Sequence, residues 1–149
     1  MSNISRYIYS FILGAVGGIV SEIVVSRGKN HCIITPNVDC ILTATIANLY
    51  GWSAVILTII FDMFEKLNFH PSFMALSIAL FTILIFECVA GKMSYIYHGY
   101  QTWKYDENWY PICQNYVSFR SSLYFLLLII IFYYTVYLQL SLKWWNLMT

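Results

Sequence analysis

Residues 121–142 read SSLYFLLLIIIFYYTVYLQLSL, 22 consecutive positions without an Asp, Glu, Lys or Arg. As a helix rising 1.5 Å per residue, such a run is about 30 Å long, the thickness of a bilayer's hydrocarbon core. It is entered through Arg120 and left through Lys143, Trp144 and Trp145, the charged and amphipathic groups that settle at headgroup depth. The stretch therefore reads as a transmembrane helix, and the rest of the chain can be searched for its companions.

Three more runs qualify. The first covers about residues 7–25 and stops at Arg27 and Lys29; the second covers about 40–61 and stops at Asp62, Glu65 and Lys66. The third, about 72–97, starts after His70-Pro71, where proline suits a helix start and holds the preceding residue extended. Composition agrees: 60% of the 149 residues are hydrophobic and 10% charged, too few charges to cover a water-facing surface. The expected fold is all-α, a four-helix transmembrane bundle forming one integral membrane domain over residues 1–149, with an aromatic interfacial segment between the third and fourth helices. The bilayer is then the first partner. Four short spans make little wall, so other membrane subunits or self-association are expected as well.

Charge excludes other classes. The net charge is +1 and the eight Lys and Arg are scattered singly, unlike the clustered basic face that binds nucleic acid. Glu22 interrupts the first apolar run and no small-residue cleavage pattern follows, so the run reads as a retained helix rather than a signal peptide.

Four spans put both ends of the chain on one side, here side A, together with the connection at residues 62–71. Side B receives the connections at 26–39 and 98–118. Side A holds Arg6, Lys66 and Lys143, and side B holds Arg27, Lys29, Lys104 and Arg120, a bias too small to orient the bundle. Three cysteines, Cys32, Cys40 and Cys113, fall on or near side B, where an oxidising compartment would let two of them pair. With Cys88 they show none of the paired spacing of a zinc site.

The segment 95–116 holds Tyr95, Tyr97, Tyr100, Trp103, Tyr105, Trp109, Tyr110 and Tyr116 among His98, Lys104, Asp106 and Glu107. Rings with one polar edge belong at a membrane interface, so an anchoring aromatic belt is the first reading and a cap over a ligand site the second.

Chemistry is sought where polarity is expensive. A carboxylate inside an apolar helix costs roughly 3 kcal/mol by insertion scales and marks an interior or polar-cavity position. Glu22 and Glu87 each lie about 15 residues into helices that run from side A to side B, hence at similar depth. They could share a proton, hold a cation, or pair separately with Arg27 and Lys92. Thr43, Thr45 and above all Asn48 on the second helix could reach the same layer, while Gly14, Ala15, Gly17 and Gly18 offer a small-residue packing face. Phosphate loops, nucleophile elbows and metal-binding histidine pairs are all missing, and His31, His70 and His98 are far apart. No cofactor is expected and an enzyme reading has little motif support.

Several of these residues resemble the putative ABC-transporter type IV family of small membrane proteins. Tyr9-Ser10, Gly17 or Gly18, and Glu22 are similar to its opening motif, and Pro36 and Tyr50-Gly51 to its loop and following pair, although Thr35 stands where a glycine is usual. Glu87 with Gly91 resembles its Glu-x-x-x-Gly, and Trp103-Lys104-Tyr105 with Asn108 its Trp-Asp-Tyr signature, with Lys104 in place of the aspartate and Pro111-Ile112-Cys113 following. The resemblance implies a membrane-embedded component working with partner chains and supplies no catalytic residues.

The first reading is thus a transport-related or ligand-binding component with a polar intramembrane site drawn from Glu22, Asn48, Glu87, Lys92, Trp103, Tyr105, Asn108 and Arg120. The second is a structural subunit of a larger membrane complex. A third, a membrane enzyme acting on lipid, would have to use Glu87, His98, Tyr105 or Asp106 at headgroup depth.

Overall fold

The computed structural model describes residues 3–26, 40–67, 73–107 and 110–139. Four helices dominate: α1 (Asn3–Ser26), α2 (Cys40–Lys66), α3 (Phe73–His98) and α4 (Phe119–Phe132), the last continued by a π-helical turn, Tyr133–Tyr137. All four are long and apolar enough to cross a membrane. In lipid a helix is favoured because it satisfies its own backbone polar groups, which outweighs the modest helix propensity of these Ile-, Val- and Phe-rich runs.

The helices begin and end somewhat differently from the hydropathy boundaries. Helix α1 starts near residue 3 rather than 7, and α2 continues past residue 61 because Asp62, Glu65 and Lys66 complete its final turns. Helix α4 starts at Phe119 because Ser118 caps it: the Ser118 hydroxyl accepts from the Ser121 N–H at 3.0 Å and the Ser121 hydroxyl accepts from the Ser118 N–H at 3.0 Å. This reciprocal pair fixes where the cap segment turns into the bundle.

Helix α1 lies along α2, with the buried Thr58 hydroxyl donating to Ser10 at 2.9 Å between them. Gly14 and Gly18 make that approach possible, since a Cβ at either would run into α2 at Ala54 or the Tyr50 ring. The core sits instead among α2, α3 and α4, where Leu57, Phe61, Ala79, Ile83, Phe125 and Ile129 are all buried. The π turn rotates Tyr137 so that it stacks on Tyr133 and meets the end of α2.

The segment between α3 and α4 folds back over the side B end of the bundle. It contains a two-stranded antiparallel hairpin, β1 (Pro111–Ile112) and β2 (Val117–Ser118), the small departure from an all-helical chain. Its turn holds Cys113, Gln114 and Asn115 at positive φ, a conformation that costs non-glycine residues of order 1 kcal/mol each. The Tyr105 N–H donates to the Asn115 carbonyl at 2.9 Å, and a disulfide ties Cys113 to Cys88 with their Cα atoms 6.0 Å apart.

That disulfide corrects the expectation for the cysteines. The partner of Cys113 is Cys88, inside α3, rather than Cys32 or Cys40, because the hairpin descends onto α3 instead of lying flat over the bundle. Cys32 is outside the described residues. The aromatic segment likewise divides in two. Tyr95, Tyr97 and Tyr110 are at least half exposed, as a belt requires, whereas Tyr116 is only 2% exposed and packs on Gly91, where a Cβ would run into its ring.

Candidate functional site

Beneath this cap, hydroxyls and carboxylates from five parts of the chain meet. From α2, the Tyr50 hydroxyl donates to Oε1 of Glu22 on α1 at 2.8 Å. From the cap, the Tyr105 hydroxyl donates to Oε1 of Glu87 on α3 at 3.1 Å. The two carboxylates lie within electrostatic reach of each other, and Tyr105 within reach of Glu22. Tyr124 of α4 completes the ring, its hydroxyl facing Ser21 and Tyr50, while Tyr105 also faces Ser121 at the start of α4.

Burial makes the arrangement consequential. Glu87 is 2% exposed, and among the described residues its Oε2 has no hydrogen-bond partner. Buried polar atoms are nearly always paired, so an unpaired carboxylate oxygen here is unusual. The Tyr105 phenol, outside the membrane-spanning segments, is pushed up from its ordinary value first by burial and then by the charge of Glu87. It stays a hydrogen-bond donor throughout the physiological range.

The cap holds Tyr105 in place. Trp103 donates from Nε1 to the Tyr116 carbonyl at 3.2 Å and packs edge-on against the Tyr116 ring, and Ser94 and Thr102 hydroxyls meet at 2.9 Å. Trp103 is thus a support for the cap and does not touch either carboxylate.

Of the residues expected to form the site, Glu22, Glu87 and Tyr105 come together and Trp103 stands behind them. Asn48 does not join: it is exposed, donates to the Ala44 carbonyl of its own helix at 2.9 Å, and lines a separate groove between α2 and α3 with Ser94 and His98. Lys92 and Arg120 are exposed, and among the described residues Glu87 is bonded to Tyr105 rather than Lys92. Asn108 and Arg27 lie outside the described residues. Scarcity of charge singles out neither Tyr50, which enters only through the family resemblance, nor Tyr124. Their signal was available in principle, since a tyrosine in mid-span needs a partner for its hydroxyl.

A second polar group closes the side A end. Arg6 pairs with Asp62 at 2.9 Å and lies 5.1 Å from the centre of the Tyr137 ring. The Tyr137 hydroxyl sits 2.9 Å from Asp62 and 2.7 Å from Glu65, and with one proton it can donate to only one at a time. Asp62 and Glu65, which read from the sequence as a helix boundary, are instead tied to α1 and α4.

Between the two polar ends lies a cavity of about 330 Å³, lined chiefly by apolar side chains of α1, α2 and α4.

The model of the family described as putative ABC-transporter type IV matches residues 9–148, nearly the entire chain. No curated protein and no solved structure matches it. Of the residues quoted for the resemblance, Glu22, Tyr50, Glu87 and Tyr105 bond pairwise under the cap, whereas Ser10 bonds to Thr58 lower in the bundle and Pro36 and Asn108 lie outside the described residues.

Proposed function

The chain belongs to the putative ABC-transporter type IV family, and we propose that it is a transport-related membrane component whose Glu22–Tyr50 and Glu87–Tyr105 pairs form an intramembrane ligand-binding site. The observation that carries this reading is the buried Glu87 Oε2, without a hydrogen-bond partner among the described residues, in a cluster assembled from all four helices and the cap. A purely structural network would be expected to close its hydrogen bonds, because an unsatisfied buried group costs about 1–3 kcal/mol. The cap supplies one of the site's ligating hydroxyls, Tyr105, so opening it would change the site as well as uncover it.

A specific observation favours a second reading. The groove between α2 and α3 presents the exposed Asn48 beside Trp52 and Met93 on spans that otherwise face lipid, and asparagine side chains hydrogen-bond across helices. The chain then serves as an accessory subunit of a larger assembly.

The two readings separate in cells. With the chain replaced by its Glu22→Gln/Glu87→Gln form, the site reading expects wild-type amounts of protein in the membrane together with the phenotype of a deletion. A wild-type phenotype at wild-type abundance removes the site reading, and loss of protein from the membrane favours the structural one.

A further inference from the structure

The cavity at the centre of the bundle belongs to the same architecture as the carboxylate cluster. It runs from Thr135 and Val136, near the side A end of α4, to Ser21 and Tyr50 beneath the cap. Its lining runs from Leu13 to Ser21 on α1 and from Phe125 to Val136 along the fourth span, about 12 and 16 Å along the axis. It is open sideways. Leu13 and Val20 on α1 and Ile131 on α4 all line it, yet they are 45%, 55% and 47% exposed, so the opening lies between α1 and α4, facing lipid. Helix α1 is held by α2 along its length, and its closest contact with the fourth span falls at the π turn. Gly17 keeps the slot wide: a Cβ there would meet nothing within 4 Å, in contrast to Gly14 and Gly18, which are needed for packing.

The cavity is lined chiefly by apolar groups, with Ser21 and Tyr50 at one end and Glu22 behind the Tyr50 hydroxyl rather than in the lining. The ring of Tyr50 forms its wall while the Tyr50 hydroxyl is bonded to Glu22, and Ser21 faces the same end. The cluster behind that end is short of donors. Each phenol or serine has a single O–H proton, two carboxylates need several, and among the described residues Glu87 Oε2 has none. No basic side chain among the described residues reaches either glutamate. An ammonium group, with three donors and a positive charge, supplies what is missing.

We propose that the slot between α1 and α4 admits, from the bilayer, a single-chain amphiphile with a protonated amine head, its chain lying along Gly17 and its head at Ser21, Tyr50 and Glu22. The volume suits one chain, since about 330 Å³ stands at the lower end of small-molecule sites, which run from roughly 300 to 1,000 Å³. This inference rests on the reading of Glu22 and Glu87 as a ligand site and adds the class of ligand.

Dodecylamine is the probe, with dodecanoate and dodecanol as matched chains carrying a negative or neutral head. With the full chain in phosphatidylcholine nanodiscs, dodecylamine raises the melting temperature saturably and the other two do so with at least about tenfold weaker half-saturation, the worth of one charge-assisted hydrogen bond. Gly17→Leu, which fills open space, weakens dodecylamine by a similar factor without lowering the melting temperature of the unliganded protein. Equal half-saturation for the three heads overturns the proposal on wild-type protein alone, with no variant required to fold. Unchanged dodecylamine binding by Gly17→Leu overturns the route through the slot. Either failure leaves the cellular Glu22→Gln/Glu87→Gln result standing, whereas a wild-type phenotype there removes the site on which the proposal rests.

Discussion

The hydroxyl of Tyr105 reaches down from the cap to Oε1 of Glu87, 3.1 Å away and 18 residues back in the chain, so an extramembrane segment completes the coordination of a carboxyl group inside a span. Removing that hydroxyl leaves a buried carboxyl with no partner on either oxygen among the described residues. Tyr105→Phe should destabilise the fold by about 1–3 kcal/mol, read from denaturant unfolding in mild detergent. The double variant Tyr105→Phe/Glu87→Gln should lose less than the sum of the two single changes, because the two groups share one interaction.

The same phenol sets a pH dependence. Its proton is held more tightly in the folded protein than in the unfolded chain, so the folded state binds the extra proton once the unfolded phenol begins to ionise near pH 10. The stabilisation is fully present below that pH and is lost as the pH rises toward the raised folded value. An alkaline stability titration of the wild type should therefore fall more steeply above about pH 10 than that of Tyr105→Phe.

The Cys88–Cys113 disulfide closes a loop across a sequence separation of 25, for which chain entropy alone predicts a stabilisation of about 3.5 kcal/mol. Reduction, or Cys113→Ser, should speed amide exchange across residues 99–118 while leaving α2 protected.

The disulfide also orients the bundle where the count of basic residues did not. Disulfides persist in oxidising compartments, which predicts that the cap faces the oxidising side and the end of α2 the opposite side. A membrane-impermeant maleimide added to the oxidising face should label Gln101→Cys and spare Leu67→Cys, both of which are exposed positions. The reverse pattern contradicts the assignment.

At the other end of the bundle, Arg6 offsets Asp62 beside Glu65 and Tyr137. Arg6→Met should destabilise by about 1–3 kcal/mol, since it leaves two carboxylates facing one phenol. Adding Asp62→Asn to it should recover part of the loss, as expected when an uncompensated buried charge is the cause.

Much of this architecture is legible in the chain itself. A run such as 121–142 has few alternatives, and Glu22 and Glu87 stand out because charge is rare in such runs. The Tyr50 and Tyr124 side chains do not stand out, being two aromatic residues among many, and their role depends on helix rotation that the pattern of apolar residues leaves open when lipid and core are both apolar. Asn48 shows the same limit from the opposite direction: its polarity singled it out, yet the rotation of α2 turns it away from the carboxylates. The Cys88–Cys113 pairing required the cap's fold-back, which is set by positive-φ turn residues and the Ser118 cap rather than by any periodicity.

The most direct test of the central claim is to purify the protein in mild detergent from its native membrane and weigh it intact, wild type beside Glu22→Gln/Glu87→Gln. The ligand-site account predicts a small-molecule adduct on the wild type that is absent from the variant, with both proteins equally folded. An identical mass excess on both, or no adduct and stoichiometric recovery of the wild type with many other subunits, would contradict it.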